Sequence, residues 1–280
     1  MSDIFLHGIQ NVTVDDGARP ITTVRSSTIG LIGSAPDADP LIFPLNKPVL
    51  IAGSRTLAAK LGETGTLPQA LDSIFDQIGA VVIVVRIDEE ETAPATLANV
   101  IGGVDANTGT YEGVHAFLAS ENITGFVPKI LIAPGFTHTR TEAVGETPAT
   151  SNPVVAELIG IAERLKAVIV ADGPNTNDAD AFAYAEDFGS KRVFLVDPKV
   201  LKSVDGETSQ EWASACVAGL IAKSDNDRGW WWSPSNQEIN GIIGTARAID
   251  FAMGDANCRA NLLNEKNIAT IIRQQGYRLW

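Results

Sequence analysis

The run Ala80-Val-Val-Ile-Val-Val-Arg86 is apolar without a break until its last residue. A strand with one wet face alternates apolar and polar residues. A strand with no such alternation is covered on both faces, as in the interior of a parallel sheet. Parallel neighbours need a crossover, and a helical one lies just upstream. Leu67, Leu71, Ile74, Phe75 and Ile78 recur at helical spacing, and Gly79 closes the stripe. Thr66 and Gln69 have the form of a capping box at its start. Short buried strands are predicted before it, at Ile29–Gly33 and Val49–Ala52. Strand, helix and strand make a βαβ unit.

The same alternation continues downstream. Strands are predicted at Ile130–Ala133, Val168–Ala171 and Val193–Val196. Between the first two, Asn152 and Pro153 give an N-cap and a proline at the first helical position. Thr208 and Glu211 read as a second capping box, opening a helix with Trp212, Ala215, Cys216, Gly219 and Leu220 on one face. The fold class expected is α/β, with strand–helix alternation around a largely parallel or mixed sheet and helices on both faces.

Two stretches break the rhythm. After Arg86 comes the acidic run Asp88-Glu-Glu-Glu91, then short apolar pieces, an Asn107-Thr-Gly109 turn and a weak helix at Tyr111–Ala119. Residues 88–127 therefore read as a small inserted subdomain or an elaborated crossover. Beyond Arg228, Ile239–Phe251 reads as extended or mixed and Asp255–Asn264 as a short helix. The apolar run Ile268–Ile272, a tight connection and a second run ending on Trp280 read as a strand followed by one that has barely begun. Its partner is expected beyond residue 280 or on another chain. The divisions are 1–27, an arm with period-2 alternation at Val12-Thr13-Val14; 28–87 and 128–228, the two parts of the α/β core; 88–127, the insertion; and 229–280, an incomplete C-terminal region.

Composition excludes several functions. With 280 residues, 45% of them apolar, the chain can bury one large core or two medium ones. A net charge of -13 and no basic cluster beyond Lys191-Arg192 exclude binding to nucleic acid or anionic membrane by bulk electrostatics. No apolar run approaches the roughly 18 residues that span a bilayer. The N-terminus lacks the basic region of a signal peptide. Cys216 and Cys258 are far apart and outside any C-x-x-C, as expected of buried thiols in a protein made in a cytosol.

Candidate chemistry is sparse. Three strands run into aspartates, Asp88, Asp172 and Asp197, where open α/β sheets place their ligand crevice. Converging, they would bind Mg²⁺ and suit a metal-dependent hydrolase. Each also stands where aspartate simply starts a turn. The segment GLIGSAPDAD from Gly30 lacks a dinucleotide fingerprint, and no P-loop or nucleophile elbow exists. His7, His115 and His138 are scattered. His138, just past a strand, is the best lone base candidate, and no pair has zinc-ligand spacing. No cofactor or metal is expected. Trp230, Trp231 and Trp232 beside Ser-Pro-Ser-Asn leave three readings open: domain core, subunit contact, or a platform in a glycan-binding module. Consecutive side chains of an extended run face opposite ways, so all three cannot enter one core.

The wording of Ser27-Thr-Ile-Gly-Leu-Ile-Gly33, Ile130-Leu-Ile-Ala-Pro-Gly-Phe136, Trp232-Ser-Pro-Ser-Asn-Gln237, Ala260-Asn-Leu-Leu-Asn264 and Gly276-Tyr-Arg-Leu-Trp280 resembles the tail sheath proteins of contractile-tailed bacteriophages, in the branch of P2-like tails and R-type tailocins. The resemblance implies a structural, non-enzymatic subunit of a virion tail or tailocin particle, made in the bacterial host cytoplasm. Its implied partners are other copies of itself, a tail tube protein, and baseplate and tail terminator proteins. It implies a sheath that contracts to drive the tube through the host envelope. It also implies linkage by arms that add strands to a neighbour's sheet, here the segment holding Val12, Thr13 and Val14. Members of the family continue past the Gly-Tyr-Arg-Leu-Trp segment, so a chain ending at Trp280 is expected to be a truncated form.

Overall fold

The computed structural model describes residues 26–141, 150–204 and 206–280. The expected arm with Val12, Thr13 and Val14, and His7 with it, lie outside the described residues. The chain runs through β1 (Ile29–Ser34), β2 (Pro48–Ala52), α1 (Arg55–Ala58), α2 (Thr66–Phe75), β3 (Val81–Ile87) and α3 (Ala93–Ile101). A ribbon of β4 (Gly103–Val104) and β5 (Tyr111–Glu112) leads to a 3-10 helix at Gly113–Ala119 and to α4 (Ser120–Thr124). Next come β6 (Ile130–Ile132), α5 (Pro153–Leu165), β7 (Val168–Asp172), α6 (Asp178–Glu186) and β8 (Val193–Val196). After these stand β9 (Val200–Val204), β10 (Glu207–Glu211), α7 (Ala213–Arg228) and β11 (Gly244–Thr245). The last elements are α8 (Arg259–Glu265), β12 (Ile268–Ala269), β13 (Ile271–Arg273) and β14 (Tyr277–Leu279).

Seven strands form the main sheet in the order β12-β8-β7-β6-β1-β3-β2. All pair in parallel except β2, which runs antiparallel to β3 along one edge. The mixed α/β architecture is the one expected. Side chains alternate across a strand, so each strand feeds two cores. Ile29, Leu31, Val82, Val84, Ile130, Ile132 and Val170 face α2 and α7. Ile32, Ile83, Val85, Leu131, Ile169 and Leu195 face the layer that holds α3, the 3-10 helix, α5, α6 and α8. Helix α7 lies against α2 at Gly219, where an added Cβ would come within 3.0 Å of the Ile74 carbonyl oxygen. Asn152 caps α5 as its sequence predicts, its side chain accepting from the Val155 N–H at 3.0 Å with Pro153 at the start.

Several local expectations are corrected. Thr66 is the first residue of α2 rather than its cap. Gly65 precedes it at φ 92°, and the Thr66 hydroxyl accepts the Ser34 N–H at 3.1 Å, tying the helix to the end of β1. Thr208 and Glu211 belong to strand β10, because β9 offers a pairing edge that a local cap cannot match. Glu211 instead accepts from the Ser73 hydroxyl at 2.8 Å and pairs with Lys202 at 3.4 Å. Tyr111–Ala119 is a ribbon strand followed by a 3-10 turn. The 88–127 stretch lends Val100, Val114, Ala116 and Phe117 to the second core, while Val104 in the ribbon is exposed.

The final strand has its partner within the chain. Ile268–Ile272 divides at Thr270: β12 joins β8 in the main sheet, and β13 pairs with β14. Thr270 and Trp280 exchange backbone hydrogen bonds of 2.8 and 2.7 Å across the hairpin. The other edge of β14 is taken by Gln237, whose carbonyl accepts the Leu279 N–H at 3.1 Å, and by a bridge between Glu238 and Arg278.

Candidate subunit-contact surface

The three aspartates do not make a metal centre. Asp172 ends β7 and is fully buried. It accepts the Ser214 N–H at 2.8 Å and the Ser214 hydroxyl at 2.6 Å, with the Thr137 hydroxyl beside it. Ser214 lies in the first turn of α7, whose N-cap residue, Trp212, supplies no side-chain cap. Asp172 thus does from a neighbouring strand what a capping side chain does locally. Burial pushes its carboxyl up to about 6 against the opposing pull of these hydrogen bonds. Asp197 is also buried; it accepts from the Asn175 N–H at 2.7 Å and pairs with Arg247. Asp88 is exposed at the end of β3, and β6 and β1 stand between its strand and β7. That is three strand spacings, about 14 Å. Among the described residues no group of three acidic, histidine or cysteine side chains is placed to hold a metal ion.

His138 and His115, the two histidines among the described residues, both contact neighbouring side chains. His138 stacks on Trp212 with ring centroids 4.0 Å apart, and Lys199 Nζ stands 3.6 Å from the same indole's centroid. Burial, helped by Lys199, lowers the imidazole to about 4, so it is neutral at pH 7. His115 Nε2 lies 3.0 Å from Glu157. Cys216 and Cys258 are both buried and free, Cys216 with its thiol pushed up to about 12 by burial.

The tryptophans are the conspicuous surface feature. Helix α7 ends at Gly229 and delivers three indoles into solvent: Trp230, Trp231 and Trp232 are 68%, 69% and 55% exposed. None is core, which corrects that reading of the run. The turn chemistry of Ser233-Pro-Ser235 carries the chain away before the residues can enter a sheet. Trp230 and Trp231 meet edge to face at 6.0 Å, and the Arg228 guanidinium lies 6.0 Å from the Trp232 ring centroid. Large apolar rings held side by side in water mark a contact surface more often than isolated exposed residues do. The side chain of Ser26, where the described chain begins, lies near enough to Asp225 in the last turn of α7 to oppose the rise that burial causes in that carboxyl. The root of the N-terminal segment therefore stands close to the tryptophans.

Two polar clusters had no linear signal. Lys202 joins Asp76 at 3.2 Å to Glu211, and Asp178 receives both Arg247 and Arg259. Asp76 stands 126 residues from Lys202, and Asp178 stands 69 and 81 residues from Arg247 and Arg259, so no spacing rule finds them. A cleft of about 560 Å³ opens along β8 and β12, lined in part by Phe188, Lys191, Phe194, Asn264 and Trp280. It contains none of the expected site residues.

The fold is a layered α/β subunit that presents an exposed aromatic surface. Residues 109–280 match the family model for the phage tail sheath protein central domain, and residues 26–87 match that for the tail sheath protein Gp18 domain III N-terminal region. The chain belongs to the phage tail sheath protein family. It is 43% identical over 279 residues to a prophage major tail sheath protein of Pseudomonas aeruginosa, covering 99% of this chain and 69% of that protein. It is 35% identical to the tail sheath protein of Escherichia phage P2, again spanning 69% of the relative. The anti-feeding prophage baseplate in its contracted state contains a chain with a TM-score of 0.66 at 17% identity, covering 96% of this chain and 67% of that one. At that identity the likeness speaks for the fold alone. Family membership makes this chain a structural sheath component rather than an enzyme, one that works as assembled copies. Neither the hydrolase nor the glycan-binding reading has support.

Proposed function

We propose that copies of this chain surround an inner tail tube, attach at a baseplate, meet a tail terminator, and contract to drive the tube through the host envelope. The observation that carries this reading is the 43% identity to a prophage sheath protein along 99% of the chain. Two surfaces are assigned to the lattice. The N-terminal segment, through Val12, Thr13 and Val14, adds a strand to a neighbour's sheet. Backbone hydrogen bonds then give strength without close side-chain matching. Trp230, Trp231 and Trp232 form a second contact, since rigid aromatic rings bury much area at small entropy cost. The divisions 1–27, 28–87, 88–127, 128–228 and 229–280 are proposed as the arm, the core with its insertion, and the C-terminal region. The test is complementation of a tail-producing strain whose own sheath gene is deleted, using the gene that carries this chain, with particles imaged by electron microscopy. Striated sheaths around tubes are expected. Deleting residues 1–24 is expected to abolish them while the protein stays folded. Bare tubes with the intact gene overturn the reading, and normal sheaths with the deletion overturn the role of the arm.

A further inference from the structure

Residues 246–258 contain no regular element and cross the carboxyl end of the main sheet between β11 and α8. Residues 252–257 are exposed throughout. The stretch is fastened at few points. Arg247, Asp178 and Arg259 form the first. Arg247 Nη1 reaches Asp178 Oδ1 at 2.7 Å, and its other terminal nitrogen pairs with buried Asp197. Arg259 grips the same Asp178 with Nε at 2.9 Å and Nη2 at 2.8 Å. Its Nη1 donates to the Ala248 carbonyl at 2.8 Å, so the arginine that closes the far end of the stretch also holds the near end. The second fastening is a small apolar cluster, joined to the second main core through Ile249, which packs against both. It comprises Cys258, Ala260 and Ile272, with partly buried Ile249, Phe251 and Trp280 around them. Phe251 and Trp280 stack at 4.4 Å.

We infer that residues 246–258 are a strap that opens as a unit while the sheet beneath stays folded, and that Asp178, shared by Arg247 and Arg259, is the clasp that sets how often it opens. Cys258 is the one buried residue of the strap itself, so its apolar burial is small, whereas the clasp is bidentate and charge-assisted. Buried Asp197 also holds Arg247 at the near end, and the Asp255 carbonyl accepts from the Asn261 amide at 2.7 Å, but Asp178 is the one carboxylate that ties both ends of the strap together. Opening uncovers Cys258, Ile272 and Trp280, and so makes that apolar surface beside the sheet edge conditional rather than permanent.

The chain's two cysteines report the two levels of opening. Cys258 is the buried last residue of the strap, and Cys216 lies in the main core on α7. The experiment is labelling of the whole chain under native conditions with an uncharged thiol reagent, the rate at each cysteine read by peptide mass spectrometry. Cys258 is expected to react faster than Cys216. Asp178→Asn is expected to speed labelling of Cys258 roughly three- to tenfold, the range of a partly exposed bidentate pair. Cys216 labelling and the thermal midpoint should stay as they were. Arg259→Gln, which leaves the Arg247–Asp197 pair intact, should act in the same direction by a smaller factor, and it carries the test if Asp178→Asn does not fold. Asp178→Glu should restore part of the protection. An unchanged Cys258 rate in both variants overturns the clasp. Equal acceleration at both cysteines overturns the strap, because it would show global unfolding.

Discussion

The sheet sandwich before Arg228 and the stretch after it are held by different physics. In the first, the six main-sheet strands that precede Arg228 send alternate residues into one of two large cores, and the helices answer with buried stripes. In the second, strands are two or three residues long, and long-range polar ties do much of the fastening. Gln77 exchanges two 2.9 Å hydrogen bonds with the Asn240 backbone, Tyr277 donates to the Ile243 carbonyl at 2.8 Å, and Arg278 reaches the Asn236 carbonyl at 3.1 Å. Apolar burial is non-directional and additive over area, so it supports cooperative folding. A polar tie is local and competes with water, so it holds one place and fails alone.

The largest expected effect breaks the comparison at its strong side. Ile83→Ala empties a fully buried site facing the second core and should cost about 2–5 kcal/mol of global stability, read from denaturant midpoints at constant m-value. Phe251→Ala, at a partly buried site in the C-terminal stretch, should move the global midpoint far less while increasing proteolysis near residue 251. Equal global losses would show that the two regions fold as one cooperative unit.

Asp172 is where a directional tie sits inside the apolar region. Asp172→Ala strands the buried Ser214 N–H and hydroxyl, while the Thr137 hydroxyl still accepts the residue 172 N–H, and should cost about 1–3 kcal/mol by the same measurement. Asp172→Asn keeps acceptor geometry and should cost less. A neutral alanine variant would mean that α7 does not depend on a cap lent by β7.

This contrast explains how much the sequence reveals. The main sheet was legible because burial on two faces leaves a continuous apolar run at Val81–Val85, and because the start of α5 carries its own cap in Asn152-Pro153. Thr66 and Thr208–Glu211 have the local form of caps. What decides their roles is distant: Ser34 for the first, β9 and Lys202 for the second. Asp172 and Asp197 read as strand-end acids, metal ligands or turn starters, and Asp178 had no signal of its own, since Ser214, Arg247 and Arg259 reach them through the fold. The tryptophans announced themselves as unusual, but their exposure depends on what packs around them, which periodicity does not encode.

Proton linkage gives a third test. Folded His138 titrates at about 4 against an ordinary 6.5. Between those values the unfolded chain takes up the proton first, so this group makes stability fall as pH falls through that window. Asp172 acts oppositely. Its folded carboxyl titrates at about 6 against 3.8, so its share of stability rises as pH drops through about 6. His138→Phe keeps a ring against Trp212 and deletes the first contribution. The loss of urea midpoint between pH 7 and pH 5 should therefore be smaller in the variant than in the parent. An identical loss would place the imidazole in water.

The comparison recurs on a small scale within 88–127. Amides of α3 and of the 3-10 helix, whose Val100, Val114 and Phe117 are buried, should exchange with those of β3. Amides of the ribbon around Val104 should open earlier. Uniform protection from 93 to 124 would make the insertion a single layer of the core; uniform early exchange would make all of it a separate unit.

The smallest effect on the isolated chain is expected at the tryptophans, and there the comparison turns from stability to assembly. Trp230, Trp231 and Trp232 are each more than half exposed and lie outside every buried cluster. Replacing Trp230 and Trp231 by alanine removes mainly their mutual edge-to-face contact, so the change in folding stability should stay within about 0.5 kcal/mol. If the rings are a subunit contact, the same variant should lose sheath formation in the complementation experiment, because truncating central aromatic anchors commonly costs about 2 kcal/mol or more of association. Tryptophan fluorescence separates the two outcomes without a folding defect to confuse them. Acrylamide should quench the dissolved parent strongly and the assembled parent weakly, the difference falling mostly on these indoles. A variant that folds as the parent does and still builds normal sheaths would assign the aromatic surface no part in the lattice. That result would leave linkage to the N-terminal segment alone.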